Sequence, residues 1–376
     1  MIMKIFVFIA AATLLISCKK EGCTDTNAVN FNTEAKKDDG SCNYESYNIP
    51  TTYAFFDANG NSTVSYSGQT DRLNQLEEMV VIMKSGNSGA VTEQDLLAMF
   101  ANTGENGAGN FSFNSSKQLE NKCFSNDVPF FKDWMNKLAL ASNDYSETAT
   151  DGQAGVLISG SSKYLFDGNG YEPVQIVEKG LMGAIFMHQA LNVYFADGKI
   201  NADNVTVEDP ANGKYYTAME HHFDEAFGYF GVATDFPSIV PNSFWGKYCD
   251  SRDAELNSNS IMMNNFLKGR AAISNDNMSA RDAAIEQIRL MWETVSAKQA
   301  VYYLDAALGQ LSDNAKAFHS LSEAYAFAWN LRYAPLETRR MSQSEHTILM
   351  DMFPTNMWDV SVADINTIAA FIDAKF

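Results

Sequence analysis

Residues 281–310 read RDAAIEQIRLMWETVSAKQAVYYLDAALGQ, and the spacing of their apolar side chains decides the fold class. Ile285, Ile288, Trp292 and Val295, then Val301, Leu304 and Leu308, recur at intervals of three and four, which places them on one face of a helix. Ser279 is a good N-cap for its start. At 1.5 Å per residue such a helix is about 45 Å long. Residues 312–334 repeat the pattern with Phe318, Leu321, Tyr325, Ala328 and Leu331, and stop at Pro335.

Working outward, the same periods predict helices over 72–84, 92–100, 130–142, 172–196, 215–230, 261–273, 342–352 and 362–374. Pro129 suits the first turn of the third of these, and Pro173 that of the fourth. Residues 45–67 read as extended or irregular, 102–110 as a Gly/Asn-rich loop, 152–170 as a loop with a small hairpin, and 236–245 as a Pro-rich connection. The fold class is all-α: an array of long antiparallel helices after a short N-terminal cysteine-bounded module.

The N-terminus carries an address. Lys4, an apolar run over 5–15, and Leu15-Ile16-Ser17-Cys18 have the layout of a secretory signal, with a core too short to span a bilayer. The ending resembles a bacterial lipobox, which implies cleavage before Cys18 and fatty acylation (palmitate among the acyl groups) of that cysteine. The plain alternative is an ordinary signal peptide with a chance cysteine. The reading divides the chain into a signal peptide at 1–17, a lipid-anchored tether and module at 18–44, and a helical domain at 45–376. Lys19-Lys20-Glu21 after the anchor suggests the outer membrane of a Gram-negative bacterium, facing the cell surface.

The chain has a formal net charge of −19, and losing Lys4 with the signal makes it more acidic still. Such a surface repels nucleic acid and anionic lipid, so the expected membrane contact is the lipid alone. Of five cysteines, export favours a Cys23–Cys42 disulfide, while Cys123 and Cys249 either pair or stay buried. Asp25, Asn27, Asn30, Asp38 and Asp39 inside the module are oxygen donors of the kind Ca²⁺ accepts. They also suit turns in which Asn and Asp bond their own backbone.

No nucleophile arrangement, phosphate loop or His-Glu-x-x-His motif occurs. Instead 220–230 reads EHHFDEAFGYF, in which His222 and Glu225 are three apart on a helix and share a face. Imidazole and carboxylate at this spacing bind a divalent metal, iron or zinc, when other helices complete the shell. Otherwise they form a buried hydrogen bond that orders a core. Setting Glu225 on Glu323 aligns His221 with His319 and Ala226 with Ala324, so the bundle reads as two related halves. His188 lies on the apolar stripe Leu181, Ala184, His188, Leu191 and Phe195, with Glu178 one turn before it. Glu178, His188, His319 and Glu323 are therefore secondary metal-site candidates, with a core histidine the simpler reading of His188. Gly180 and Gly183 read as points of close helix approach.

The His-x-x-Glu helix, the related halves, the lipoprotein signal and the length resemble the imelysin-like bacterial surface lipoproteins. Segments 164–167, 178–184 and 224–229 look like an uncharacterised exported branch of that group. The resemblance implies an all-helical domain over 45–376 that handles metal, chiefly iron, through His222 and Glu225, although Glu220 stands where the family motif has glycine. The expected function is a lipid-anchored, non-enzymatic envelope protein that binds a metal or metal-bearing ligand, with envelope proteins as partners. The alternatives are a structural or adhesive surface lipoprotein without a metal site, and a metal-dependent hydrolase.

Overall fold

The computed structural model describes residues 20–25, 28, 30–44 and 47–376. The signal peptide, Cys18 and Asn27 lie outside the described residues. Those described fall into two compact units, one within the first 46 residues and one from Tyr47 to Phe376.

In the first unit Cys23 and Cys42 are joined. Of the oxygen donors considered for calcium, Asp38 and Asp39 accept from the Gly40 and Ser41 N–H within local turns, whereas Asn30 accepts from the Asn43 N–H and Asp25 from the Tyr44 hydroxyl across the module.

The second unit is mainly helical, with α1 Ser67–Ser85, α2 Glu93–Phe100, α3 Val128–Ser142, α4 Pro173–Leu181, α5 Asp197–Ile200, α6 Ala218–Phe230, α7 Phe244–Ser251, α8 Asp253–Leu256, α9 Ser258–Ser274, α10 Met278–Leu308, α11 Asn314–Asn330, α12 Gln343–Met352 and α13 Val362–Asp373. Its strands form two small antiparallel hairpins, β1 Gly155–Ser159 with β2 Ser162–Phe166, and β3 Val207–Asp209 with β4 Lys214–Thr217. Among the described residues no helix is long and apolar enough to cross a membrane.

The spine is α10. Ile285, Ile288, Trp292, Val295, Val301 and Leu304 are buried along it, and α9, α11 and α13 pack against it. Trp292 meets Phe230 of α6 at 5.2 Å and Trp245 of α7 at 5.8 Å between ring centres. Burying aromatic side chains of this size contributes roughly 2–3 kcal/mol each, the main driving force for closing the bundle.

Several boundaries differ from the sequence expectation for identifiable reasons. The cap of α10 is Asn277, whose side chain accepts from the Ala280 N–H, so the helix starts before Ser279. Helix α1 begins at Ser67 because its first turns bury polar Gln69 and Arg72, which an apolar stripe does not reveal. The helix expected over 172–196 is α-helical only to Leu181 and continues with π-helical turns at Met182–Met187 and Gln189–Tyr194, a widening that apolar spacing cannot distinguish. The helix expected from 215 starts at Ala218: Lys214–Thr217 pairs as a strand, and Thr217 and Glu220 form a capping box. The connection at 236–245 is shortened by α7. Cys123 and Cys249 are buried and unpaired, and burial raises both thiols above the ordinary range.

The core of α6 holds a charge network that sequence periodicity did not foretell. Arg270 of α9, fully buried, donates from Nε to Asp224 at 2.9 Å and from Nη1 to Glu220 at 2.7 Å. Asp224 also accepts from the Tyr53 hydroxyl and the Ser65 N–H. Every charge has a partner, which a buried network requires.

Candidate functional site

The polar side chains of the second unit converge on a cleft of about 550 Å³ lined by α1, α4, α7, α10 and α11. Its floor is set by two helices in contact, α4 and α11; Gly180 admits Phe131 of α3, and Gly183, in the π-helical turn after α4, admits Asn330 of α11, where a Cβ would come within 2.5 and 2.0 Å of them. That approach brings Glu178 and Lys179 of α4 to His319 and Glu323 of α11.

The Lys179 ammonium is 2.6 Å from Glu178 Oε1 and 3.5 Å from Glu323 Oε1. Burial works against its charge, but the two carboxylates outweigh burial and hold it protonated, above the ordinary lysine range. For Glu178 burial raises the carboxyl, and Lys179 and Lys84 more than compensate, leaving it below the usual range. His319 Nδ1 lies 2.6 Å from Glu172 and its Nε2 3.4 Å from Glu323. Burial disfavours the imidazolium, yet Glu172 and then Glu323 raise its pKa above the ordinary value. Tyr303 lines the cleft with Glu323, and the Lys179 and Lys247 ammonium groups stand 5.7 and 5.2 Å from the Tyr248 ring centre.

Two acceptors in this cleft lack a donor. Gln175 Oε1 and Glu178 Oε2 have no hydrogen-bond partner, on residues that are 3% and 7% exposed. Lys84 Nζ stands 3.7 Å from the second, beyond hydrogen-bond reach. Buried acceptors left open are costly unless something donates to them.

His222 and Glu225 are not brought together. The His222 Nδ1–H donates to the Lys199 carbonyl at 2.9 Å, turning the ring toward α5. Glu225 accepts from Gln69 Nε2 at 3.0 Å. The imidazole near Glu225 is His221, at 3.9 Å. A three-residue step rotates the helix enough to send these side chains to different neighbours. His188 stays apart from both glutamates, packed on Phe124 at 4.9 Å, and burial lowers it to about 4. Among the described residues no group of three or more His, Cys, Asp or Glu side chains is placed to hold a metal ion. Of the secondary candidates, Glu178 and Glu323 meet through the Lys179 ammonium, and His319 lies 3.4 Å from Glu323.

His221 and Glu225 face a second cleft, of about 290 Å³, built like the first. In each, a His-x-x-x-Glu helix packs on another helix whose third residue is glutamine, Gln69 on α1 and Gln175 on α4. A tyrosine lines each cleft together with the glutamate, Tyr194 in the smaller and Tyr303 in the larger. The histidine Nδ1 atoms reach the residues leading into those helices, Ser65 at 3.0 Å and Glu172 at 2.6 Å. The alignment of Glu225 on Glu323 contained the signal for this pairing. Nothing in it pointed to Gln69, Gln175, Lys179 or the tyrosines, which come from other elements.

The chain belongs to a family defined by a domain of unknown function, DUF4856, whose family model matches residues 50–376. Neither a curated protein nor a solved structure matches it.

Proposed function

We propose that this member of the family is a lipid-anchored, non-enzymatic binding protein of a bacterial outer membrane, and that the larger cleft holds a cationic or metal-bearing ligand. The observation that carries the reading is the pair of donor-less acceptors, Gln175 Oε1 and Glu178 Oε2, beside Glu323 in a cleft large enough for a small molecule. Such a wall accepts hydrogen bonds or coordinates a positive centre. The kinship with imelysin-like lipoproteins belongs to this proposal and makes iron the metal of first interest. Its motif residue Glu225 lies in the smaller cleft, so the proposal moves the ligand to the open acceptors beside Glu323, where a bare ion meets no set of three His, Cys, Asp or Glu ligands among the described residues and a cationic or partly coordinated group fits better. Export and acylation rest on the sequence through Cys18.

Titration calorimetry of the mature chain with Fe²⁺, Zn²⁺ and the organic dication putrescine tests the cleft. Binding of at least one, weakened about tenfold or more by Glu178→Gln and by Glu323→Gln, supports it. Negligible heats for all three overturn it and favour the structural or adhesive reading, in which Glu178, Lys179, His319 and Glu323 merely satisfy one another. Mass spectrometry of the native protein tests the anchor, and an unacylated Cys18 removes it.

A further inference from the structure

We propose that the smaller cleft is a second ligand site, selective for a small oxyanion such as phosphate or sulfate. The two clefts share a frame but differ in charge at one corresponding position. Three residues after the glutamine, the sixth place of its helix, α4 carries Glu178 and α1 carries Arg72. The larger cleft presents a carboxylate there; the smaller presents a guanidinium.

Arg72 is 6% exposed and braced, donating from Nε to the Gln118 carbonyl and from Nη1 to the Gly68 carbonyl, both at 2.9 Å. Lys117 and Lys122 line the same cleft. Among the described residues none of these three makes an ion pair with a carboxylate. That is notable in a chain of net charge −19. Burial, then repulsion from Arg72, lowers the Lys122 ammonium, with Glu225 opposing. Three cationic side chains thus share the cleft with one carboxylate, Glu225.

Gly68 makes room for this. A Cβ there would stand 2.9 Å from Lys117 Cε, so its absence lets the lysine lie across the start of α1. That start has no side-chain cap and no acidic residue in its first turn, leaving the positive end of the helix dipole facing the same cleft. Glu225 is the carboxylate of the lining, and it accepts from the Gln69 amide.

Calorimetric titration of the mature chain with inorganic phosphate at low ionic strength, with sulfate as competitor, tests the site. A saturable phosphate isotherm that sulfate displaces is expected, and Lys117→Gln with Lys122→Gln weakens it about tenfold or more. Ser67→Asp is the decisive variant. Ser67 lies in the lining and opens α1, so an aspartate there favours the helix through its dipole while placing a carboxylate against the anion. Phosphate binding is expected to disappear with the melting temperature kept or raised. Lys247→Gln, in the larger cleft, should leave phosphate affinity within about twofold. Absence of saturable phosphate binding in the wild type overturns the proposal. So does binding unaffected by Ser67→Asp, which would place the ion elsewhere.

Discussion

His222 and Glu225 sit one turn apart on α6, yet the imidazole bonds the Lys199 carbonyl and the carboxylate takes the Gln69 amide. A shared helix face is therefore not a shared site. His222→Ala should leave Fe²⁺ and Zn²⁺ affinity within about twofold of the wild type, as expected for residues without common partners. His319→Ala, which removes a group 3.4 Å from Glu323, should weaken it. Calorimetry on the two variants checks the contrast, and a larger loss from His222→Ala would restore the α6 site.

Arg270 neutralises Asp224 and Glu220 in the core. Arg270→Met strands two buried carboxylates and is expected to destabilise the fold by about 3–5 kcal/mol. Adding Asp224→Asn and Glu220→Gln should recover part of that loss. Urea unfolding of the single and triple variants measures both steps.

Glu293 of α10 accepts from the Arg340 N–H, and burial raises its carboxyl to about 7. The folded form thus holds the proton more tightly than the unfolded one. Its contribution is full below the ordinary glutamate pKa and is lost as pH rises through about 7. On going from about pH 7.5 to about pH 5, the wild type should gain stability relative to Glu293→Gln. A difference between the two that does not change with pH would show that Glu293 does not titrate in this window.

Gly183 is where the π-helical segment meets α11. An alanine Cβ would stand 2.0 Å from Oδ1 of Asn330, which is fully buried and donates to the Lys179 carbonyl. Gly183→Ala should cost about 1–3 kcal/mol through overpacking. Gly198→Ala, with nothing within 4 Å, should be neutral or stabilising. Thermal unfolding distinguishes them.

The helices were legible because burial along α10 and α11 follows the three-and-four spacing of Ile288, Trp292, Leu304, Phe318 and Leu321, all buried. Helix ends were less so. Asn277 and Thr217 cap through side-chain bonds to particular amides, and several neighbouring residues could serve each role equally well on composition alone. The candidate site was legible in pieces: Glu178, His319 and Glu323 were named, and the match of His221 with His319 held the duplicated frame.

The sequence by itself determined the helical class, the apolar faces and the repeated His-x-x-x-Glu pair, since each depends on residues a few positions apart. Only the tertiary structure decided which face of α6 carries the site, that Lys179 pairs with Glu178 and Glu323, and that Arg72 and Glu178 take corresponding places in two clefts. Those relations join residues as much as 150 positions apart or more, such as Gln69 with Glu225. Local spacing fixes which way a side chain leaves its helix, but its partner is chosen by the packing of whole helices against one another.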